Sequence, residues 1–359
     1  MNTVTVDDAV VLALARPDIV ALAPYEHALY APTLERLHAN ELPWPPLSED
    51  SGSALHRYPE PQPAALVAAL AAQYGVSTEQ LLIGRGSDEG IDLLTRAFCR
   101  AGVDAVITCP PTFGMYAVAA RIQGAEVISV PLVERYALDD AGVIAALSRS
   151  VKLVWLCSPN NPTGNSLDAA AVRRVLEAAR GRALVVIDEA YIEFSKCSSW
   201  IKSLPEYPHL VILRTLSKAQ GLAGARIGTV IASPTVIRLL RKIIPPYAIA
   251  RPTSFAAEQA LQEHHRAIAN ERIERICAER ERLRNALIRS PWVKRVYPSD
   301  ANFLLLSTTN ARRVLERLQA VSLLARDFSG KPGLDEAVRL TVGTPEQNNR
   351  VIEALECSP

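Results

Sequence analysis

Between residues 80 and 232 short apolar runs rich in β-branched residues recur, with helical patterns between several of them. The runs are Ala105–Cys109, Val127–Val130, Lys152–Cys157, Leu184–Ile187, Leu210–Leu213 and Ile227–Ile231, and the helical patterns include Ile91–Arg100 and Ala169–Arg180. Strands that alternate with helices form a largely parallel sheet covered on both faces. Strands buried on both faces read as unbroken apolar runs, as Leu184-Val185-Val186-Ile187 does. Open sheets of this kind gather their chemistry beyond the carboxyl ends of the strands. The polar residues that follow each run are therefore the candidates for function.

The fold class expected is α/β, with a large domain built on a mostly parallel sheet with helices on both faces. A smaller α/β domain is expected from the two chain ends. The boundaries are 1–45 for an N-terminal arm and part of the small domain, 46–250 for the large domain, and 251–359 for the small C-terminal domain. The first segment reads as irregular, is rich in Pro and Leu, and ends at Pro43, Pro45 and Pro46. Gln62–Gln73 is an Ala/Leu-rich helix with Gly75 as its stop. Residues 257–289 read as one long charged helix with Ile268, Ile273, Ile276, Leu283 and Leu287 on one stripe. Its Arg and Glu residues make a solvated face with i,i+4 pairs. Asn302–Leu306, Ala311–Ala320, Ala337–Val342 and Pro345–Leu355 alternate strand and helix, enough for the small domain.

Composition excludes several function classes. A net charge of +1 gives no reason to expect a nucleic-acid or membrane-surface partner. No apolar run approaches the roughly 20 residues of a membrane span. The start, Met1 to Asp8, lacks the basic residues of a signal peptide, so the cytoplasm is the expected compartment. Cys99, Cys109, Cys157, Cys197, Cys277 and Cys357 form no C-x-x-C pair and are expected to be free thiols, mostly buried. His264 and His265 are adjacent and point to different sides of a helix, so no metal site is expected.

Four residues stand beyond strand ends in a pattern that carries chemistry. Lys218 ends Leu213-Arg214-Thr215-Leu216-Ser217-Lys218, Asp188 and Tyr191 follow Leu184–Ile187, and Arg226 precedes Ile227. A lysine can form a Schiff base, an aspartate can partner a pyridinium nitrogen, and an arginine can hold phosphate, which are the needs of a pyridoxal phosphate enzyme. A buried Asp188 is costly unless paired. It is either a satisfied loop or cap aspartate or the partner of a protonated ring nitrogen. Tyr191 either packs in the core or reaches the same ring oxygen as Asn161, which sits in the turn Ser158-Pro159-Asn160-Asn161-Pro162-Thr163-Gly164. Gly84-Arg85-Gly86-Ser87-Asp88-Glu89 is a helix start. It is either a capping sequence or a phosphate cradle made of backbone N–H groups, which Asp88 does not oppose if its side chain points away. Phe113 either stacks on a cofactor ring or packs in the core. Arg339 interrupts an apolar strand and either makes a structural ion pair or binds a carboxylate or phosphate bidentately.

These segments together resemble the fold-type I pyridoxal phosphate aminotransferases and, more narrowly, the histidinol-phosphate aminotransferases. The strings that carry the resemblance are Arg57-Tyr58-Pro59, Arg85-Gly86-Ser87-Asp88-Glu89-Gly90-Ile91 and Pro110-Pro111-Thr112-Phe113-Gly114-Met115-Tyr116, then the Asn160-Asn161 turn, Asp188-Glu189-Ala190-Tyr191-Ile192-Glu193-Phe194 and the run ending at Lys218. The resemblance extends from Leu22-Ala23-Pro24-Tyr25 to Thr341-Val342-Gly343-Thr344.

It implies pyridoxal 5'-phosphate as cofactor and Lys218, Asp188 and Tyr191 as the catalytic set. Lys218 would form the Schiff base and shuttle the proton between Cα and C4′. Asp188 would pair with the pyridinium nitrogen, Asn161 and Tyr191 would hold the ring oxygen, and Phe113 would stack on the ring. Ser87 and Asp88 (by backbone), Ser217 and Arg226 would bind the cofactor phosphate. Tyr58 would reach that phosphate from the other subunit of a homodimer. Arg339 would take the amino acid's carboxylate or the phosphate of histidinol phosphate, with Tyr25, Asn40 and Arg326 completing the substrate pocket. The reaction implied moves an amino group between L-glutamate/2-oxoglutarate and imidazole acetol phosphate/L-histidinol phosphate in a ping-pong cycle of histidine biosynthesis. An aromatic amino-acid aminotransferase and a threonine-phosphate decarboxylase share the fold and would share Lys218, Asp188 and Arg226. A non-catalytic regulator is the reading from another class, and the intact Lys218 argues against it. The chain departs from the family at Phe113, where tyrosine is usual, and at Leu42 and Trp44, where relatives often carry Asn and Tyr.

Overall fold

The computed structural model describes residues 6–27, 29, 34–45 and 54–356; residues 1–5, Pro46 and Cys357, on which some of these expectations fall, lie outside them. The larger sheet has seven strands: β1 (Leu81–Gly84), β2 (Ala105–Thr108), β3 (Glu126–Ser129), β4 (Val151–Cys157), β5 (Leu184–Asp188), β6 (Leu210–Thr215) and β7 (Gly228–Ala232). Their spatial order is β1-β7-β6-β5-β4-β2-β3. Only β7 runs against its neighbours, antiparallel to both β1 and β6. The expected mostly parallel sheet is thus present, with a reversed strand that brings the start of β7 beside the ends of β1 and β6.

Alternation along the strands builds two cores. Side chains on a strand point to opposite faces in turn. Val185 and Ile187 of β5 face one cluster, with Leu66 and Leu70 of helix Ala64–Tyr74 and Val172, Val175 and Leu176 of helix Ala169–Ala179. Leu184 and Val186 face the other, with Ile91 and Phe98 of helix Ser87–Phe98, Tyr116 and Ala120 of helix Met115–Gln123, and Leu240 of helix Pro234–Arg241. Each fully buried Leu, Ile or Val contributes about 1.5–3 kcal/mol, so both helical layers are held firmly to the sheet. Helix Ala64–Tyr74 ends as expected at Gly75, which is left-handed at φ 68° and returns its N–H to Ala71.

The second sheet has order β10-β11-β9-β8, all antiparallel, from β8 (Val293–Val296), β9 (Phe303–Thr308), β10 (Arg326–Asp327) and β11 (Ala337–Thr341). Helices Glu263–Leu287, Ala311–Ala320 and Pro345–Glu356 close its core around Leu283, Leu304, Leu306, Val314, Val338 and Leu355.

Several local expectations are corrected. The N-terminal arm is not wholly irregular: Val6–Leu14 and Pro17–Ala21 are helical, and Val11 and Leu14 are buried in the larger sheet's core. The long helix expected over 257–289 is two, Arg251–Ala260 and Glu263–Leu287. Gln262 breaks it in an extended conformation at ψ 147°, and buried Leu261 anchors the turn. Neither Gly nor Pro marks the break. Ile268 is 42% exposed and leaves the apolar stripe. Two ion pairs within this helix are i,i+3, Glu279–Arg282 and Glu281–Arg284, and a third joins the neighbours Arg280 and Glu281. Arg280 does not face solvent: it is buried and donates to the carbonyls of Phe194 (3.2 Å) and Ala301 (2.8 Å). Among the described residues no cysteine is disulfide-bonded; Cys99, Cys109 and Cys157 are buried and Cys197 is exposed. No described helix is long and apolar enough to cross a membrane.

Candidate active site

The carboxyl ends of β2, β4, β5 and β6, the start of β7 and one edge of the smaller sheet surround a cavity of about 630 Å³. Ser87, Asp88, Phe113, Asn161, Asp188, Tyr191, Ser217, Lys218, Arg226, Arg326 and Arg339, all singled out in the sequence, line it. Parallel strands aim their carboxyl ends the same way, so residues far apart in the chain meet there. Tyr25, Asn40 and Tyr58 are not among the lining residues. Tyr25 is 65% exposed against the edge of His27. Asn40 holds φ 56° in the N-terminal arm. Tyr58 stacks on Tyr247 with ring centroids 4.7 Å apart.

One wall is a cradle of backbone. Helix Ser87–Phe98 begins after Gly86, which is at φ 81° and gives no side-chain cap, while Glu89 of the first turn accepts the Arg85 N–H at 2.7 Å. The first turn of a helix presents N–H groups without intrahelical partners, which suit an anion. Nothing larger than glycine fits around them: a Cβ on Gly86 would come within 2.6 Å of Arg226 Nη2, and one on Gly228 within 2.2 Å of the Ser87 nitrogen. Arg226 is itself left-handed at φ 58°, an uncommon state for a non-glycine residue and a mark of functional constraint. The Asp88 side chain does not point away. It accepts from Arg226 Nη2 at 3.2 Å and so stands at the cavity wall. Ser217 completes the cradle, its N–H donating to Thr215 Oγ1 at 3.1 Å.

The floor is Asp188, only 2% exposed at the end of β5. It is no helix cap. Its Oδ1 accepts the Ala190 N–H at 3.1 Å and its Oδ2 accepts the Tyr116 hydroxyl at 2.7 Å. Burial pushes its carboxyl up to about 6, while the Tyr116 and Ala190 donors pull the other way. Lys218 Nζ lies 5.5 Å from the centre of the Tyr191 ring. Burial lowers the Lys218 pKa, and the Arg339 charge lowers it further. Both effects raise the share of neutral amine, the form that attacks a carbonyl. Tyr191 is buried with its ring edge-on to Phe303 at 5.2 Å.

The smaller sheet supplies the remaining wall. Arg339 of β11 faces Arg326 of β10 directly across the strand pair. Like charges placed opposite each other destabilise a sheet. Among the described residues neither arginine has a carboxylate partner, so the ion-pair reading of Arg339 falls away. Its guanidinium lies 5.1 Å from the Phe303 ring centre and 5.2 Å from that of Phe328, and it donates to Asn161 Oδ1. Asn161 is held by a tight turn in which Asn160 Nδ2 donates to the Pro111 carbonyl at 2.8 Å and Thr112 Oγ1 donates to Asn160 Oδ1 at 2.8 Å. Phe113 lines the cavity and meets Tyr116 edge-on at 5.6 Å.

This set fits a phosphorylated pyridine aldehyde. The glycine cradle and Arg226 suit its phosphate, Asp188 its ring nitrogen, and Lys218 its carbonyl carbon. Cations exceed carboxylates in the wall, with Lys218, Arg226, Arg326, Lys331 and Arg339 against Asp88 and Asp188. Two residues had no role assigned from sequence. In the sequence Tyr116 is one residue of a longer motif, although a buried aspartate needs a donor and so announces one. Lys331 follows Gly330 in a turn whose sequence gives no sign of facing a cavity.

Residues 30–355 match the family model described as aminotransferase class I and II. The histidinol-phosphate aminotransferase of Stenotrophomonas maltophilia is 48% identical over 356 residues, 98% of this chain and 97% of that protein. That of Xylella fastidiosa (strain 9a5c) is 47% identical over 361 residues, 99% of this chain and 98% of that protein. Among solved structures, histidinol-phosphate aminotransferase from Sinorhizobium meliloti in complex with pyridoxal-5'-phosphate has a TM-score of 0.76 at 27% identity, over 86% of this chain and 84% of that one. A fold, a cavity and a near full-length likeness thus agree: the chain belongs to the class I and II aminotransferases and, among them, to the histidinol-phosphate aminotransferases.

Proposed function

We propose that the chain is a transaminase that uses pyridoxal 5'-phosphate to move an amino group between L-glutamate/2-oxoglutarate and imidazole acetol phosphate/L-histidinol phosphate. The observation that carries the substrate assignment is the unpaired couple Arg326 and Arg339 in the wall that also holds Lys218. A carboxylate is matched by one planar guanidinium, whereas a phosphate dianion makes use of two. Both glutamate, through a carboxylate, and histidinol phosphate, through its phosphate, can use this wall in turn. A ping-pong cycle follows, in which the first product leaves before the second substrate enters.

When bound, the cofactor supplies an electron sink that makes a Cα–H acidic. The chain's residues do the rest. Ser87, Asp88 (through its backbone), Ser217 and Arg226 hold the phosphate end. Asp188 keeps a proton on the ring nitrogen, and Asn161 and Tyr191 hold the ring oxygen. Phe113 covers the ring face, without the hydroxyl that tyrosine would bring. Lys218 takes the proton from Cα and returns it at C4′. Arg339 orients the substrate with Arg326 beside it, whereas Tyr25 and Asn40 stand outside the cavity of their own chain. Tyr58 completes the phosphate site of a second subunit, and the working form is a homodimer acting in the cytoplasm. Residues 46–250 form the cofactor domain, 251–359 the small domain, and 1–45 an arm shared with it.

The test compares the half-reaction of the cofactor-loaded protein with L-histidinol phosphate, L-phenylalanine and O-phosphothreonine, followed by the visible absorbance of the bound cofactor. Conversion of L-histidinol phosphate with the best kcat/KM is expected. Preference for phenylalanine, or carbon dioxide released from O-phosphothreonine, would sink the assignment.

A further inference from the structure

Asp188 must be charged to hold a proton on a ring nitrogen, yet it lies in the driest part of the cavity floor, 2% exposed. An uncompensated buried carboxylate neutralises itself. The groups that face it are few. Lys218 and Asp88 act from the ligand side with opposite signs. Cys157 of β4 and the Tyr191 hydroxyl lie near it as neutral groups, their pKa values raised by burial. The Ala190 N–H donates to one oxygen at 3.1 Å, and the Tyr116 hydroxyl to the other at 2.7 Å.

Tyr116 is fully buried and is not part of the cavity wall, so it touches neither cofactor nor substrate. Its ring lies flat on Trp155, with centroids 5.0 Å apart and planes 4° from parallel. Its edge meets Phe113. Held this way, the hydroxyl donates to Asp188 Oδ2, with the neutral Cys157 thiol its other hydrogen-bonding neighbour. Phenylalanine would fill the same space equally well, so packing alone does not account for the oxygen. Hydrogen bonds to charged groups are the strong ones, and this one exists at full strength only when Asp188 is ionised.

We propose that Tyr116 is a positioning residue that keeps Asp188 ionised and aimed at the ring nitrogen of the bound cofactor. The inference rests on the reading of the cavity as a pyridoxal phosphate site. The same helix, Met115–Gln123, therefore follows the ring-covering Phe113 and also carries the group that sets the charge of the residue facing the ring nitrogen. Tyr116 acts through Asp188 and not on the ligand.

Four proteins test this: the parent, Tyr116→Phe, Asp188→Asn and the double variant. In the apoproteins, the infrared band of the Asp188 carboxyl (assigned by its loss in Asp188→Asn) is titrated with pH. The parent midpoint is expected near 6, and that of Tyr116→Phe about one pH unit higher. The dissociation constant of pyridoxal phosphate is expected to rise roughly tenfold in Tyr116→Phe, with no further rise when Tyr116→Phe is added to Asp188→Asn. An unchanged midpoint, or a tenfold loss that repeats in the Asp188→Asn background, would show a merely structural tyrosine and overturn the proposal. If Tyr116→Phe proves too unstable to titrate, loss of folding that the Asp188→Asn background does not relieve overturns it equally. Failure to convert L-histidinol phosphate would sink the substrate reading while leaving the apoprotein titration to decide on Tyr116.

Discussion

At the scale of single residues, the cavity is made of groups placed against their own preferences. Lys218 is a cation among cations, Asp188 a carboxylate in a dry floor, and Arg339 an arginine opposite an arginine. Each costs stability in the empty protein and is useful only with a ligand, which is how a site differs from a core. Lys218→Ala is expected to abolish turnover by several orders of magnitude in a single-turnover assay, because no other described lysine but Lys331 lines the cavity. Asp188 allows a prediction about stability. Its carboxyl is raised from 3.8 to about 6 in the fold, so the native apoprotein binds more protons than the unfolded chain between those values. Apoprotein stability should therefore be greatest below pH 4 for this group and fall as pH rises through 6. At pH 7 the loss is about 3 kcal/mol. Apo Asp188→Asn should be more stable than the parent at pH 7 by up to that amount in denaturant titration, and lose most of its activity. Equal stability of the two at pH 7 would refute this account. Arg339→Gln should lower kcat/KM for both glutamate and histidinol phosphate roughly 150-fold in steady-state assays, the equivalent of about 3 kcal/mol.

At the scale of elements, strand ends and glycines decide the geometry. The start of β7 passes so close to helix Ser87–Phe98 that Gly228 has no room for a side chain. Gly228→Ala should destabilise the protein by about 3 kcal/mol and weaken cofactor binding together, read by melting with and without pyridoxal phosphate. A variant that lost stability but kept its cofactor affinity would separate the cradle from this contact. Most strands from 105 to 232 were legible because burial on both faces leaves them largely apolar, whereas the edge strand β3 shows only Val127 and Ile128 between exposed Glu126 and Ser129. β6 runs on through Arg214 to Thr215, past the expected end at Leu213. Arg214 is tolerated in a buried strand because Glu189 (3.2 Å) and Glu193 (2.8 Å) neutralise it. That pairing spans 25 and 21 residues of chain and cannot be seen in a local pattern. β8 and β10 were missed for a similar reason: Lys294 and Arg295 of β8 are exposed, as are both residues of β10, and exposed strand residues carry no apolar signature.

At the scale of the whole molecule, Tyr25, Asn40 and Tyr58 stand apart from the cavity of their own chain while Arg326 and Arg339 reach it from the second sheet. A homodimer in which Tyr58 serves the neighbouring site gives a direct test. Lys218→Ala and Tyr58→Ala proteins, each impaired alone, should regain about a quarter of the parent activity on mixing and subunit exchange, since half the dimers are mixed and each has one complete site. No recovery, with exchange shown by mass-tagged subunits, would place Tyr58 outside the reaction. The residue types of the site, their order and their position after apolar runs were written in the sequence, because a buried parallel strand must be apolar and its polar successor stands out. Their use was not. That Arg339 lacks an ion-pair partner, that Asp88 faces Arg226, and that Tyr116 serves Asp188 follow from contacts between segments 48 to 178 residues apart, such as Thr112 with Asn160, Tyr116 with Asp188 and Asn161 with Arg339. Local chemistry sets which residues can be buried and which must seek a partner, but only the packed chain decides which partner each one finds.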